Sequence, residues 1–169
     1  MNVAVRGRLL FFGGAAFVVA LDQLSKAWVV RHLSAYTPVD WIPQLASLFS
    51  FTFVKNTGVA FGLFPQLGGL FTILSAIVIM GILVFHNVIA ETDLWVYGGL
   101  GLVTGGALGN LVDRLARGYV VDFIDVNFWP LAQWPVFNIA DSAVVVGVAV
   151  LLLDAFLLSE EEAVTDAAV

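Results

Sequence analysis

Cysteine is absent from the 169-residue chain, and only 12% of its residues are Asp, Glu, Lys or Arg. Soluble globular domains carry about twice that share of charge. The missing cysteine excludes a disulfide framework, a thiolate nucleophile and thiolate metal ligands, and leaves the compartment open. Basic residues are the scarcer sign, 7 against 13 acidic, for a net charge of −6. A nucleic-acid partner is therefore not expected, since it requires a basic footprint. The two histidines, His32 and His86, lie far apart with no HExxH motif, and no GxSxG elbow occurs. Neither a zinc site nor a serine elbow is expected, and no cofactor is implied. What the chain has in abundance is apolar side chains, 60% of the total, with mean hydropathy +0.98. This is the composition of an integral membrane protein.

Four segments reach spanning length: Leu9 to Val30, Leu67 to Phe85, Leu94 to Val112 and Ile139 to Leu158. Lipid offers no partner to backbone N–H and C=O groups, so each is expected as a helix. The expected fold class is an all-α membrane protein, one domain over residues 1–169, with four transmembrane helices and a small extracytoplasmic sheet. Arg6 and Arg8 ahead of an apolar run imitate a secretory signal, yet the hydrophobicity continues past Asp22, so the segment is expected to be retained as the first span. An even number of spans leaves both termini on one face. The connection from His86 to Asp93 is short, and makes the second and third spans antiparallel neighbours. The long connections, Arg31 to Gln66 and Asp113 to Asn138, share the opposite face. In the first, "FSFTFV" sets Phe49, Phe51 and Phe53 against Ser50 and Thr52, the alternation of a half-buried strand. In the second, aromatic residues among Pro130 and Pro135 suit an interfacial loop lying on the headgroups. Counting basic residues alone puts Arg31, Lys55, Arg114 and Arg117 on the loop face and opposes a cytoplasmic N-terminus. The acidic tail "SEEEAVTDAAV" is expected as a solvated end.

Polar residues inside such spans are costly and face the protein interior. Asp22 and Lys26 are spaced i, i+4 with the acid first, the better order for an ion pair, and are expected to be structural. Gly101, Gly105 and Gly109 form a bare backbone stripe for a neighbouring helix. Asn110, Asp113 and Arg114 cluster at the end of that span, as a hydrogen-bonded terminus or a substrate contact. Asn56-Thr57-Gly58 is a turn signature. Asp141 opens the fourth span, where a helix macrodipole stabilises an anion. That does not account for Asp122 and Asp125, which return to the same interface. Two carboxylates in a partly desolvated pocket share one proton, and the ionised member can then draw a proton from water while its partner polarises a carbonyl. Capping and loop chemistry remain the alternative reading of the same residues. A serine–lysine pair is disfavoured because Ser25 points to a different helix face from Lys26. A channel would need charged groups at several depths, and a purely structural subunit would leave the aspartates without a task.

Taken in order, "DQLSK" (Asp22 to Lys26), "NTGVAFG" (Asn56 to Gly62), "GGALGNLVDR" (Gly105 to Arg114), "VVDF" (Val120 to Phe123) and "FNIAD" (Phe137 to Asp141) resemble the motifs of the lipoprotein signal peptidases, or signal peptidase II. The resemblance covers nearly all of the chain from Leu9 to Leu158. It implies a membrane aspartyl endopeptidase that cleaves prolipoproteins just before the diacylglyceryl-modified cysteine, with Asp122 and Asp141 as the catalytic pair and Asp125 outside it. It further implies that Asn56, Gly58, Asn110, Arg114, Asn138 and Ala140 line the site, supported by Asp22, Lys26 and Asp113, with no metal. Its implied setting is the bacterial cytoplasmic membrane, multi-pass, with both termini cytoplasmic and the site near the periplasmic face under a β-cradle and a loop or short amphipathic helix. This overrides the arginine count, because several of those basic residues belong to the motifs. Implied partners are diacylglyceryl-prolipoproteins, membrane lipids and globomycin-like cyclic peptide antibiotics. A lipidated substrate helix would enter laterally, bracketed by the glycine stripe and the aromatic loop.

Overall fold

A computed structural model describes residues 2–40, 42–58, 68–89, 93–128, 130–131 and 134–167. Among these, four helices and three strands follow the order α1 (Val3–His32), β1 (Pro38–Val39), β2 (Phe49–Asn56), α2 (Gly68–Ile89), α3 (Leu94–Arg117), β3 (Val120–Val126) and α4 (Ile139–Ala167), with a 3₁₀ turn at Pro43–Leu45 between the first two strands. The helix ends follow local chemistry. Asn2 caps α1 by accepting from the Ala4 N–H, and Asp93 caps α3 by accepting from Trp95 and Val96. Gly118, at φ 76°, ends α3 in the left-handed region and turns the chain directly into β3.

Among the described residues two helical segments, Val3–His32 and Ile139–Leu157, have the length and hydropathy of a membrane crossing, against the four spans expected; Thr72–His86 is a shorter apolar helix. Each expected span coincides with a helix, and their outer faces present large apolar side chains, Phe17, Leu24, Ile77 and Leu152 among them. Helices that are apolar on their outward side suit a hydrocarbon solvent and not water. The expected segment around Val59 to Gln66, including the second half of "NTGVAFG", lies outside the described residues.

Helix α3 lies between α1 and α4 because its glycines allow near contact of backbones. A Cβ at Gly101 would stand 2.7 Å from the Phe11 carbonyl oxygen, and one at Gly105 would stand 2.8 Å from that of Ala15. On the other side, a Cβ at Gly106 would collide with the Ala140 carbonyl oxygen. The glycine stripe is thus spent on α1 and is closed to a substrate, which corrects the expectation that it brackets one. Gly105→Val is expected to force the two helices apart and to destabilise the protein by about 1–3 kcal/mol or more. A thermal unfolding midpoint equal to that of the parent would refute this.

The sheet is antiparallel, in the order β1-β2-β3. Val29 and Leu33 of α1 pack under it with Phe53, Val121 and Phe123, which anchors the sheet to the end of the first helix. Two expectations change here. The stretch from Val120, read as an interfacial loop, is a strand that pairs with β2, so Asp122 and Asp125 sit on a hydrogen-bonded ladder. The β2 alternation is inverted over its first half, where Ser50 and Thr52 are buried and Phe49 and Phe51 half-exposed, while Phe53, at the register shift, is buried as expected. The hydroxyls have hydrogen-bond partners there, Thr52 donating to Asp125 (2.8 Å) and Ser50 accepting from Asn127 (3.2 Å), while the Phe51 ring stacks on Phe123.

Candidate active site

The register of β2 against β3 sets Val54 opposite Asp122 and leaves Asn56 at the end of the same ladder. The Asn56 amide reaches back and donates to Asp122 Oδ2 at 2.9 Å. Its own Oδ1 accepts from the Gly58 N–H at 3.0 Å, the self-bonded turn expected of Asn-Thr-Gly. On its other oxygen, Asp122 accepts from the Asn138 amide at 2.7 Å.

Asn138 starts α4. Its Oδ1 accepts from the Asp141 N–H (2.9 Å), and Asp141 Oδ2 accepts from the Asn138 N–H (3.1 Å). This reciprocal capping box satisfies two otherwise orphaned helix donors. The signal lay in "NIAD", where residues three apart at a helix start can cap one another; the sequence reading took only the macrodipole from it. Asp141 Oδ1 accepts in addition from the Asn110 amide at 2.7 Å. One asparagine therefore binds both aspartates, and both carboxyls line a cavity of about 740 Å³ together with Asn56, Asn110 and Arg114. Arg114 is attracted to Asp141 and Asp122 by charge, with no direct ion pair to either among the described residues. The rest of the wall is largely apolar and runs along α3 and α4 past Ala107 and Val145.

Burial is the main cause that pushes the Asp122 carboxyl up to about 7, and the Asp141 charge adds to it against the opposing donors Asn56 and Asn138. Asp125 is elsewhere, held by Thr52 on the ladder.

Beneath the pair lies a closed charge network. Lys26 is fully buried and donates to Asp22 Oδ2 (2.8 Å), Asp113 Oδ2 (3.1 Å) and Asn110 Oδ1 (2.9 Å). Asp22 Oδ1 accepts from the Ala140 N–H at 3.0 Å, and Asp113 Oδ2 from the Val121 N–H at 2.9 Å. Each buried carboxylate thus holds the residue just before one of the cavity aspartates. Sequence reasoning assigned no task to Gln23 or Arg117, which complete the network. The available signal was the spacing Asp113–Arg117, which repeats the acid-first i, i+4 order of Asp22–Lys26.

Residues 14–157 match the family described as Signal peptidase (SPase) II. The chain belongs to that family. The lipoprotein signal peptidase of Shewanella halifaxensis is 38% identical, over 94% of this chain and 92% of its own length. That of Syntrophomonas wolfei is 40% identical, over 90% and 96%. A bacterial membrane enzyme solved in meso at 2.3 Å superposes with a TM-score of 0.81 and 30% identity, covering 88% of each chain. A second, solved at 1.9 Å, gives 0.75 and 32%, covering 84% of this chain and 89% of the other. This signal peptidase II is accordingly a membrane peptidase, mostly helical with a small three-stranded sheet, and its cavity aspartates come from a strand and a helix start that share one asparagine.

Proposed function

We propose that the protein is a four-span aspartyl endopeptidase that removes the signal peptide of prolipoproteins at the bond preceding a diacylglyceryl-modified cysteine. The observation that carries this is the joint tethering of Asp122 and Asp141 by Asn138 at the head of an apolar cavity. In this reading Asp141 is the anion, because it accepts from Asn110 and from the helix start at the positive end of the α4 dipole. Asp122 carries the shared proton. Asp141 takes a proton from water as the water attacks the scissile carbonyl, and Asp122 donates its proton to the carbonyl oxygen. Arg114 offers positive charge to the oxyanion as it develops. The lipid and the signal helix lie along the apolar wall, entering sideways from the bilayer.

The proposed setting is the bacterial cytoplasmic membrane, with both termini cytoplasmic, the sheet and cavity at the periplasmic face, and cyclic peptides of the globomycin kind as competing occupants. The test is a gel-shift assay with one prolipoprotein in diacylated and unmodified forms. Cleavage of the diacylated form alone is expected; equal cleavage of both would remove the lipid from the reading.

The pair also predicts a pH limb. Below about 7 Asp122 keeps its proton, and as pH climbs through that value the pair becomes doubly ionised. Cleavage is therefore expected to fall with an apparent midpoint about pH 7, a property of the pair. Stability moves the same way: the folded protein holds a proton that the unfolded chain releases near its ordinary value of 3.8, so stability declines as pH rises from there to about 7. A flat cleavage profile from pH 6 to 9 would contradict it.

A further inference from the structure

Gln23 sits at the centre of the charge network while the reaction proposed above makes no use of it. Its amide nitrogen lies 3.1 Å from Asp22 Oδ2, 3.1 Å from Asp113 Oδ1 and 3.0 Å from the Gly109 carbonyl oxygen. Its carbonyl oxygen accepts from Arg117 at 3.2 Å, and Arg117 also pairs with Asp113. Two protons shared among three acceptors fix the amide plane, because the other end of the same amide is already held by a guanidinium. The consequence passes directly into the site. Asp22 holds Ala140 N–H, one residue before Asp141, and Asp113 holds Val121 N–H, one residue before Asp122.

Lys26 joins the same two carboxylates from one side. A single ammonium is a point charge that tolerates rotation of both. Gln23 joins them from the other oxygen of Asp113, so the two links together define an orientation. A hydrogen bond between neutral amide and carboxylate is modest in energy, yet a reacting geometry lost by about 1 Å can cost on the order of 100-fold in rate.

We infer that Gln23, locked by Arg117, is a positioning residue that sets the separation of Asp122 and Asp141 through the backbone groups held by Asp22 and Asp113. This rests on the aspartyl peptidase reading. Neither residue touches the cavity; each acts through the carboxylates it holds.

The test uses the full chain in detergent micelles with a diacylated prolipoprotein, comparing the parent, Asp122→Asn, Gln23→Met and Arg117→Lys. Gln23→Met keeps length and removes both hydrogen-bonding ends. It is expected to lower kcat about 10- to 100-fold with KM nearly unchanged. The alkaline limb of the pH profile is expected to move to lower pH, because an Asp141 charge set further away raises Asp122 less. Arg117→Lys keeps the charge at a partly exposed position and loses the planar fork; it should give the same signs at smaller size, and carries the test if Gln23→Met does not fold. A kcat and a pH limb equal to the parent's, with only the unfolding midpoint lowered, would overturn the inference and leave Gln23 as a stability residue. A parent that fails to cleave, or an Asp122→Asn variant that still cleaves, would overturn the aspartyl reading instead.

Discussion

Asp122→Asn and Asp141→Asn are each expected to reduce cleavage of a diacylated prolipoprotein by about 10³- to 10⁴-fold, the upper range for a positioned proton donor or acceptor. Each loss combines a missing proton step with a displaced donor. At position 122 both carboxyl oxygens receive an amide proton, from Asn56 and from Asn138. An asparagine there must turn its own NH₂ against one of those donors, which costs a hydrogen bond of about 1–3 kcal/mol as well as the shared proton. At position 141 the side chain must both attract a proton from water and accept from Asn138 N–H. An amide oxygen can still cap the helix, but the NH₂ beside it then faces the Asn110 amide, so this variant is expected to be inactive and somewhat less stable. Asp125→Asn provides the contrast. Its carboxylate is held by Thr52 on the strand ladder, and most activity should survive. Substantial turnover by either of the first two variants would remove the pair from the reaction.

Lys26→Met is expected to have the largest effect on stability. The ammonium donates to Asp22, Asp113 and Asn110 with no exposure to solvent. Removing it leaves the fully buried Asp22 without a cation and Asp113 with Arg117 alone, a loss of about 3–5 kcal/mol when one partner of a buried pair is taken away. It also frees Asn110, whose carbonyl oxygen is shared by Lys26 and the Asn138 amide and whose own amide holds Asp141. Activity should therefore fall along with the unfolding midpoint. Lys26→Met combined with Asp22→Asn should recover part of the stability, since Asp113 keeps its Arg117 partner and the carboxylate left without a cation disappears. An unfolding midpoint equal to the parent's in the single variant would show that water or another group neutralises the carboxylates.

Much of this was legible in the chain before any coordinates. Helix positions follow from apolar runs, and Asp22 with Lys26 follows from helical spacing alone, because both partners lie on one turn. The motifs were sufficient for the family. What the sequence could not disclose is contact between distant segments. Nothing local says that Asp113 lies against Lys26, or that Asn110 of α3 meets Asp141 of α4. Strand β3 was hidden for another reason: the two aspartates of "VVDFIDV" fall three residues apart and break a period of two. In β2 the pattern assumes water on one face, and here Phe49 and Phe51 pack on one another and on Phe123, so Ser50 and Thr52 turn inward to find partners.

The capping box at the start of α4 couples the site to the integrity of the last helix. Asp141 and Asn138 hold its first turn with the same side chains that arrange the carboxyl pair, so removing either side chain loosens the turn and the pair together. A change of bulk at Ala107 or Val145, on the greasy flank of the chamber, leaves that polar scaffold untouched.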